Sequence, residues 1–241
     1  MMIATTDLAQ PNPVCVGVDV GQIHDPSAVA VAEVVRVHTG KYRYGKQYHI
    51  PAHIDANLIF HKPQDAEPVM RSRYIVRHIR RLPLGTSYPK VALDIADMLC
   101  NTMFAHREVR VLIDVTGVGR PVYDDLKIEI ELREETRHIQ LKPITFSHGE
   151  KYNHSTGVLA KAFLVSRLQS LLQGECVDGP DIPEMKATVE ELRVYEIKVS
   201  DDGKDTYGAT IGKHDDLATA LGLACLEDPY SERVSDSVRV Y

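Results

Sequence analysis

Four aspartates in this chain stand where apolar segments end or begin. Asp19 ends the run VCVGVD, Asp114 ends the run VRVLID, and the adjacent Asp215 and Asp216 open the run DDLATALGLA. Aspartate is depleted in strands, and a buried carboxylate is costly unless a cation accompanies it. No Arg or Lys stands beside Asp19 or Asp114 as an obvious local partner. The pattern therefore predicts a divalent cation as the counterion, and hard oxygen ligands favour Mg²⁺ or Mn²⁺.

Two such ions about 3.5–4 Å apart cleave a phosphodiester, because one activates water and the other stabilises the leaving oxygen. One carboxylate must then bridge both ions, and Asp19 is the candidate because its strand is expected in the middle of the sheet. Asp114 would complete one metal site and Asp216 the other, with Asp215 and His214 nearby. The alternative is helix capping, since acids at a helix start complement the macrodipole and accept hydrogen bonds from free N–H groups.

Apolar periodicity predicts the elements that must position these acids. Strands are expected at 14–20, at 27–37, within 46–60, at 109–115 and at 138–146, and helices at 89–104, from Pro121 to Arg133, from Ser155 to Leu172, and after Pro183 and His214. The segments 193–199 and 206–211 flank SDDGKD, which is typical of a hairpin. Short links between the early strands predict an antiparallel meander. The order predicts an α/β fold with helices on both faces of a mixed sheet.

Length and composition predict a soluble intracellular protein. The chain has 241 residues, of which 44% are hydrophobic and 26% are charged, which is enough for one large domain with a substantial core. The four cysteines are scattered without zinc-site spacing, so reduced thiols in a cytoplasm are expected. We find no segment long and apolar enough to span a bilayer and no signal peptide, so we expect no membrane partner.

Charge is segregated along the chain. The formal net charge of −6 argues against bulk attraction to nucleic acid, but the stretch 71–90 is rich in arginine and contains no acid. This modestly favours a surface that faces phosphate, although the arginines could instead pair with the acidic segment 124–135. Lysines on the long helix and beside the acidic pair are further candidates, for which a solvated surface position is the alternative. The candidate DNA contacts are Arg71, Arg77, Arg80, Arg81, Lys161 and Lys213.

Three motifs and their order carry a resemblance to a known family. The motifs are D-V-G-Q-I-H-D-P-S-A at 19–28, I-D-V-T-G-V-G-R-P-V at 113–122 and H-D-D-L-A-T-A-L at 214–221, with R-L-P-L-G-T-S-Y-P at 81–89 between the first two. Together they closely resemble the nuclease domain of large terminase subunits from tailed phages. The resemblance implies an RNase H-like fold of the RuvC resolvase group at 14–227, with an added β-hairpin before the last helix. Residues 1–13 are then an N-terminal extension and 228–241 a C-terminal tail.

The resemblance also implies a site and its cofactors. It implies two divalent cations, Mg²⁺ or Mn²⁺, with Asp19, Asp114 and Asp216 as catalytic metal ligands and Asp215 as a further ligand. Asp25 and His214 would be auxiliary residues near the site, although Asp25 before proline also suits a turn and His214 also suits a helix cap. Related helices often carry another acid where this chain has Thr219, so we expect no fourth ligand there.

The implied activity is hydrolysis of concatemeric double-stranded DNA by a metal-dependent endonuclease during viral genome packaging. The implied partners are a packaging ATPase domain, a portal and a small terminase subunit, in the cytoplasm of an infected bacterial host. The sequence contains no G-x-x-x-x-G-K-[ST] motif, so we expect either an excised domain or a stand-alone relative.

Two other classes of function remain open from the sequence. The segments GVDVG and D-V-T-G-V-G resemble the two phosphate loops of actin-like and sugar-kinase ATPases, although such enzymes generally need a larger chain with two domains. The third class is a non-catalytic DNA-packaging docking module, in which the acids would have no chemical role. Binding of ATP would favour the kinase class, and metal-dependent nicking of a plasmid would favour the nuclease.

Overall fold

The computed structural model describes residues 11–21, 25–43, 67–149, 151–193, 195–199, 205–209 and 215–231. The strands in these ranges are β1 (Val14–Asp19), β2 (Ala28–Arg43), β3 (Glu67–Arg81), β4 (Val109–Asp114), β5 (Gln140–Ser147), β6 (Tyr152–Asn153), β7 (Val158–Ala160), β8 (Val177–Asp178), β9 (Tyr195–Val199) and β10 (Asp205–Ala209). The α-helices are α1 (Tyr88–Leu99), α2 (Gly119–Leu132), α3 (Lys161–Gln173), α4 (Pro183–Arg193) and α5 (Asp216–Ala224). Short 3₁₀ helices lie at Thr102–Phe104 and Glu134–Thr136.

Eight strands form one mixed sheet in the order β6-β7-β5-β4-β1-β2-β3-β8. β1, β2 and β3 form the predicted antiparallel meander, while β4 and β5 continue from β1 in parallel. The third strand of the meander is 67–81, and the segment 46–60 predicted for it lies outside the described residues. The hairpin predicted before the last helix is confirmed, because β9 and β10 pair antiparallel.

β1 lies at the centre of the sheet because its sequence is apolar on both faces. Val14, Val16 and Val18 pack with α1 and α2 in one core cluster. Cys15, which alternates with them, belongs to a second cluster formed with α5 on the other face. Burying each of these valines contributes roughly 1.5–3 kcal/mol to the free energy of unfolding. The next two residues on the α5 face are Gly17 and Asp19, so the strand delivers its terminal carboxylate beneath that helix.

α5 packs so closely against β1 at Gly17 that no side chain fits at this position. A Cβ atom added at Gly17 would lie 2.0 Å from the carbonyl oxygen of Ala220 and 2.5 Å from the backbone nitrogen of Ala224. All nine residues of α5 are buried, because the sheet, α3 and α4 surround the helix. The small residues of DLATALGLA allow contact on every side.

The C-terminal end of α5 is fixed by polar contacts. Arg167 donates from Nε to the carbonyl oxygen of Cys225 over 2.8 Å. Glu227, only 5% exposed, accepts from Lys142 and from the hydroxyl of Tyr152, both at 2.5 Å. These contacts anchor the end of the helix opposite to Asp216.

α3 begins at Lys161, six residues later than the predicted start at Ser155. The intervening residues form a turn and β7, which pairs in parallel with β5. Gly157 adopts a positive φ of 71°, which favours glycine and ends any helical path through this segment. In the described part of the chain, no helix has both the length and the apolar character needed to cross a membrane.

Candidate metal centre

Asp19 and Asp114 lie beside each other at one edge of the sheet. β1 and β4 are parallel neighbours in which Val18 pairs with Ile113, so the next residue on each strand is one of the two aspartates. Carboxyl ends of adjacent parallel strands meet at the same sheet edge. Both side chains alternate onto the face that α5 covers. Asp114 is 9% exposed, and Asp19 is partly buried.

The two acids at the start of α5 form ion pairs with side chains of other elements. Asp215 is the N-cap residue, but its side chain accepts no capping hydrogen bond. The backbone N–H of Ala218 instead donates to Glu191 Oε2 over 2.8 Å. The side chain of Asp215 therefore lacks the capping hydrogen bond considered from the sequence, whereas Asp216, in the first turn of α5, suits the positive end of the helix dipole as well as its pairing with Arg81.

Lys161, which is distant in sequence from the four aspartates, is a cation that lies next to them in the fold. Its Nζ lies 2.7 Å from Asp215 Oδ2, and its positive charge partly offsets the rise in pKa that burial causes at Asp19 and Asp114. The sequence shows no local Arg or Lys partner for the two strand acids, and Lys161 approaches them from a distant part of the chain. The cation comes from the first residue of α3, which is remote in sequence from both aspartates.

The carboxylates repel one another despite this lysine. Burial, followed by the charge of Asp114, raises the pKa of Asp19 well above its usual range, and Asp215 and Asp216 add to the effect. Burial also raises the pKa of Asp114, although that carboxylate accepts a hydrogen bond from the N–H of Thr116 over 2.8 Å. Asp19 thus lies within electrostatic range of the other three aspartates, in a site that favours an added positive charge.

Arg81 forms ion pairs with both Asp216 and Glu191. Arg81 Nε lies 2.5 Å from Asp216 Oδ2, and a second nitrogen of the same guanidinium contacts Glu191. Burial raises the pKa of Glu191 to about 7. Sequence analysis missed Glu191, because the pattern of α4 gives no sign that this acid is buried while Val189 is 37% exposed.

Of the other residues predicted near the site, two lie in the described part of the chain and two lie outside it. Asp25 is exposed in the turn after β1 and lines an open groove of about 430 Å³ together with Ser27 and Thr86. Thr219 is buried within α5. His214 and Lys213 lie outside the described residues.

The basic stretch forms β3 and the start of α1, and several of its arginines have partners within the protein. Arg77 pairs with Glu33 at 2.8 Å, and Arg71 donates to the carbonyl oxygen of Gly174 over 2.9 Å. Pairing with the acidic segment 124–135 was the alternative expected from the sequence, and for Arg77 and Arg81 the observed acids are different ones. Within the described residues, Arg80 Nε is buried and makes no hydrogen bond. Contact of these side chains with DNA stays a prediction.

The donor set fits a hard divalent cation in its chemistry. Carboxylate oxygens are the ligands that Mg²⁺ and Mn²⁺ prefer, and burial together with the charge of Asp114 raises the pKa of Asp19. The site is not preformed for a metal ion, because among the described residues no three His, Cys, Asp or Glu side chains are placed to hold one ion. Lys161 and Arg81 instead engage Asp215 and Asp216.

Comparison with known proteins identifies the fold. No family model and no curated relative matches the chain. Among solved structures, the large terminase nuclease of thermophilic phage G20c matches with a TM-score of 0.54 and 18% identity, covering 88% of this chain and 81% of that one. Its magnesium-bound form matches with a TM-score of 0.52 and 17% identity, covering 90% and 82%. The human cytomegalovirus terminase nuclease domain matches with a TM-score of 0.52 and 11% identity, covering 92% and 87%.

These matches extend over most of the chain, although the sequence identities are low. The chain has the RNase H-like α/β fold of large terminase nuclease domains, which confirms the fold that the sequence motifs imply.

Proposed function

We propose that this chain is a metal-dependent DNA endonuclease of viral genome packaging that hydrolyses phosphodiester bonds with two divalent cations. The observation that carries the proposal is the adjacency of Asp19 and Asp114 at the ends of parallel strands, beneath the acidic start of α5. Burial of like charges at one sheet edge opposes folding stability, and such sites are usually functional. The fold shared with terminase nucleases, one of them solved with bound magnesium, supports the same conclusion.

The position of each residue suggests its role in the proposed site. When bound, Mg²⁺ or Mn²⁺ would activate water and stabilise the leaving oxygen. Asp19, on the central strand, is positioned between Asp114 and α5 and is therefore our candidate for the bridging ligand. The N–H of Thr116 orients Asp114 over 2.8 Å. Arg81 fixes Asp216, for which we propose the second metal site, with Asp215 as an additional ligand.

Cleavage of supercoiled plasmid tests the proposal. We expect nicking with Mn²⁺ or Mg²⁺ and none with chelator, and we expect Asp19→Asn, Asp114→Asn and Asp216→Asn each to abolish it. Asp94→Asn is the matched control, because this half-buried aspartate lies on α1, away from the four aspartates, and pairs with Lys90 one turn earlier. Nuclease activity that survives in Asp19→Asn or Asp114→Asn would contradict the two-metal assignment.

Partners and location follow from the same proposal. The substrate would be concatemeric double-stranded DNA, and the packaging ATPase domain, the portal and the small terminase subunit would be the protein partners. The reaction would take place in the cytoplasm of an infected bacterial host. Co-purification of this chain with a terminase ATPase domain would test the first of these contacts.

The ATPase alternative has less support. β1 and β4 carry the segments that resemble phosphate loops, but the fold matches terminase nucleases along most of the chain. The repulsion among four aspartates also disfavours a phosphate in their midst without a cation. Calorimetric titration with ATP and Mg²⁺ separates the classes, since we expect no binding of the nucleotide.

A further inference from the structure

Lys161 occupies an unfavourable position for its own helix. It is the first residue of α3, where the positive end of the helix dipole opposes a cation by roughly 0.3–1 kcal/mol. The helix has neither an acid in its first turn nor a side-chain cap to offset this charge. Stabilisation of the ammonium group must therefore come from outside α3.

The carboxylates of the candidate metal centre provide that stabilisation. Lys161 Nζ lies 2.7 Å from Asp215 Oδ2, and its charge acts on Asp19 and Asp114 as well. The ammonium group thus interacts electrostatically with three of the four aspartates. A divalent cation held by the same acids would be repelled by it, because charges about 4 Å apart near a protein surface interact strongly.

We propose that Lys161 is a built-in competitor of the metal, whose ammonium group neutralises the carboxylates and leaves Asp215 when a divalent cation binds. The inference rests on the proposed function, because it concerns the same acids. It assigns a role to Lys161 that differs from the phosphate contact predicted from the sequence. It also explains how acids that repel one another remain folded around one site.

Isothermal titration calorimetry with Mn²⁺ as the only ligand, at low ionic strength, tests the inference. Lys161→Met removes the charge and keeps the length of the side chain. We expect this variant to bind Mn²⁺ about tenfold more tightly than the wild type, which corresponds to about 1.4 kcal/mol. Lys161→Gln should show the same direction, and Lys161→Arg, which keeps the charge, should bind as the wild type does.

Lys142→Met is the matched control. Lys142 is 29% exposed and pairs with Glu227, while Lys161 is 28% exposed and pairs with Asp215. Both lysines thus neutralise a carboxylate next to α5, but at opposite ends of the helix. Loss of Lys142 should leave the affinity for Mn²⁺ unchanged.

The outcomes separate the inference from the proposed function. Binding of Mn²⁺ that is lost in Asp19→Asn but unchanged or weakened in both neutral variants of Lys161 would overturn the inference and leave the nuclease proposal standing. Equal gains in Lys161→Met and Lys142→Met would reduce the effect to net charge and would also overturn it. Absence of Mn²⁺ binding in the wild type and in all variants of Lys161 would overturn both.

Discussion

Asp19 is a carboxylate whose surroundings oppose its charge. Burial and the neighbouring Asp114 both raise its pKa, and Lys161 only partly offsets them. An asparagine of the same shape would remove the repulsion, so selection for stability alone would not maintain an acid here. The physical cost of Asp19 is consistent with the role of a ligand.

We therefore expect Asp19→Asn to be as stable as the wild type or more stable when no divalent cation is present. Millimolar Mn²⁺ should raise the melting temperature of the wild type by mass action and should raise that of Asp19→Asn less. Differential scanning fluorimetry with and without chelator measures both effects, with Asp94→Asn as the control. Equal metal-induced shifts in Asp19→Asn and the wild type would mean that the ions bind elsewhere.

Asp215 and Asp216 are predicted to differ in importance. Asp216 is 3% exposed and fixed by Arg81, whereas Asp215 is less buried and engages Lys161. Groups that merely orient a ligand typically contribute 10–100-fold, so loss of a ligand itself should slow cleavage more than about 100-fold. We expect that loss for Asp216→Asn and about tenfold for Asp215→Asn in single-turnover plasmid cleavage. Equal rates, or the reverse order, would show that Asp215 is the principal ligand.

At the scale of elements, the contact between β1 and α5 sets the site. Gly17 lies two residues before Asp19, and the backbone of α5 rests directly upon it. Because protein interiors are close-packed, any side chain at this position must push the helix away from the strand. The acids at the start of α5 would then move away from the acids on the strands.

Gly17→Ala should accordingly reduce both stability and metal binding. Overpacking of this kind costs roughly 1–3 kcal/mol of the free energy of unfolding, which denaturant titration measures. Gly174→Ala is the milder comparison, because an added Cβ there would lie 3.2 Å from the carbonyl oxygen of Ser170, which a small shift can relieve, and it should cost less than Gly17→Ala. A Gly17→Ala protein with wild-type stability and wild-type Mn²⁺ affinity would show that the helix position is not critical.

Sequence patterns predicted those elements whose signals are local. The strands predicted from the apolar runs of β1 and β4 and the hairpin predicted around SDDGKD are confirmed, because continuous apolar runs and turn residues act over a few positions. The start of α3 was predicted too early, since pairing of β7 with β5 overrides the amphipathic pattern. The arginines of 71–81 lie on a strand, β3, which an arginine-rich sequence does not suggest.

The same distinction holds for the candidate site. Strand ends place Asp19 and Asp114 together, and this follows from apolar runs that stop at an acid. The partners Lys161, Arg81 and Glu191 come from three other elements, and nothing in their local sequence indicates which acid each one meets. Only tertiary packing defines these ion pairs, so the local sequence indicates the carboxylates but not the side chains that pair with them.

For the whole molecule, the net charge of −6 limits how strongly the isolated chain holds DNA. We expect weak duplex binding without sequence preference, falling with salt at a log–log slope of roughly −0.9 per phosphate neutralised. Arg80→Ala and Arg77→Ala should each flatten that slope by up to about one unit in fluorescence anisotropy. Arg77 already pairs with Glu33, so its effect should be the smaller one. Tight binding of one sequence in high salt would contradict this expectation.

The contacts at both ends of α5 make that helix intolerant of changes in length. Asp216 is tied to β3 through Arg81 at one end, and Glu227 is tied to β5 through Lys142 just beyond the other. One inserted residue lengthens a helix by about 1.5 Å and turns everything beyond it by about 100°. An insertion within α5 would therefore rotate either the aspartates or the Glu227 anchor out of place. Among homologous chains, we expect the spacing between Asp216 and Glu227 to be free of insertions and deletions, whereas the loops before it should vary in length.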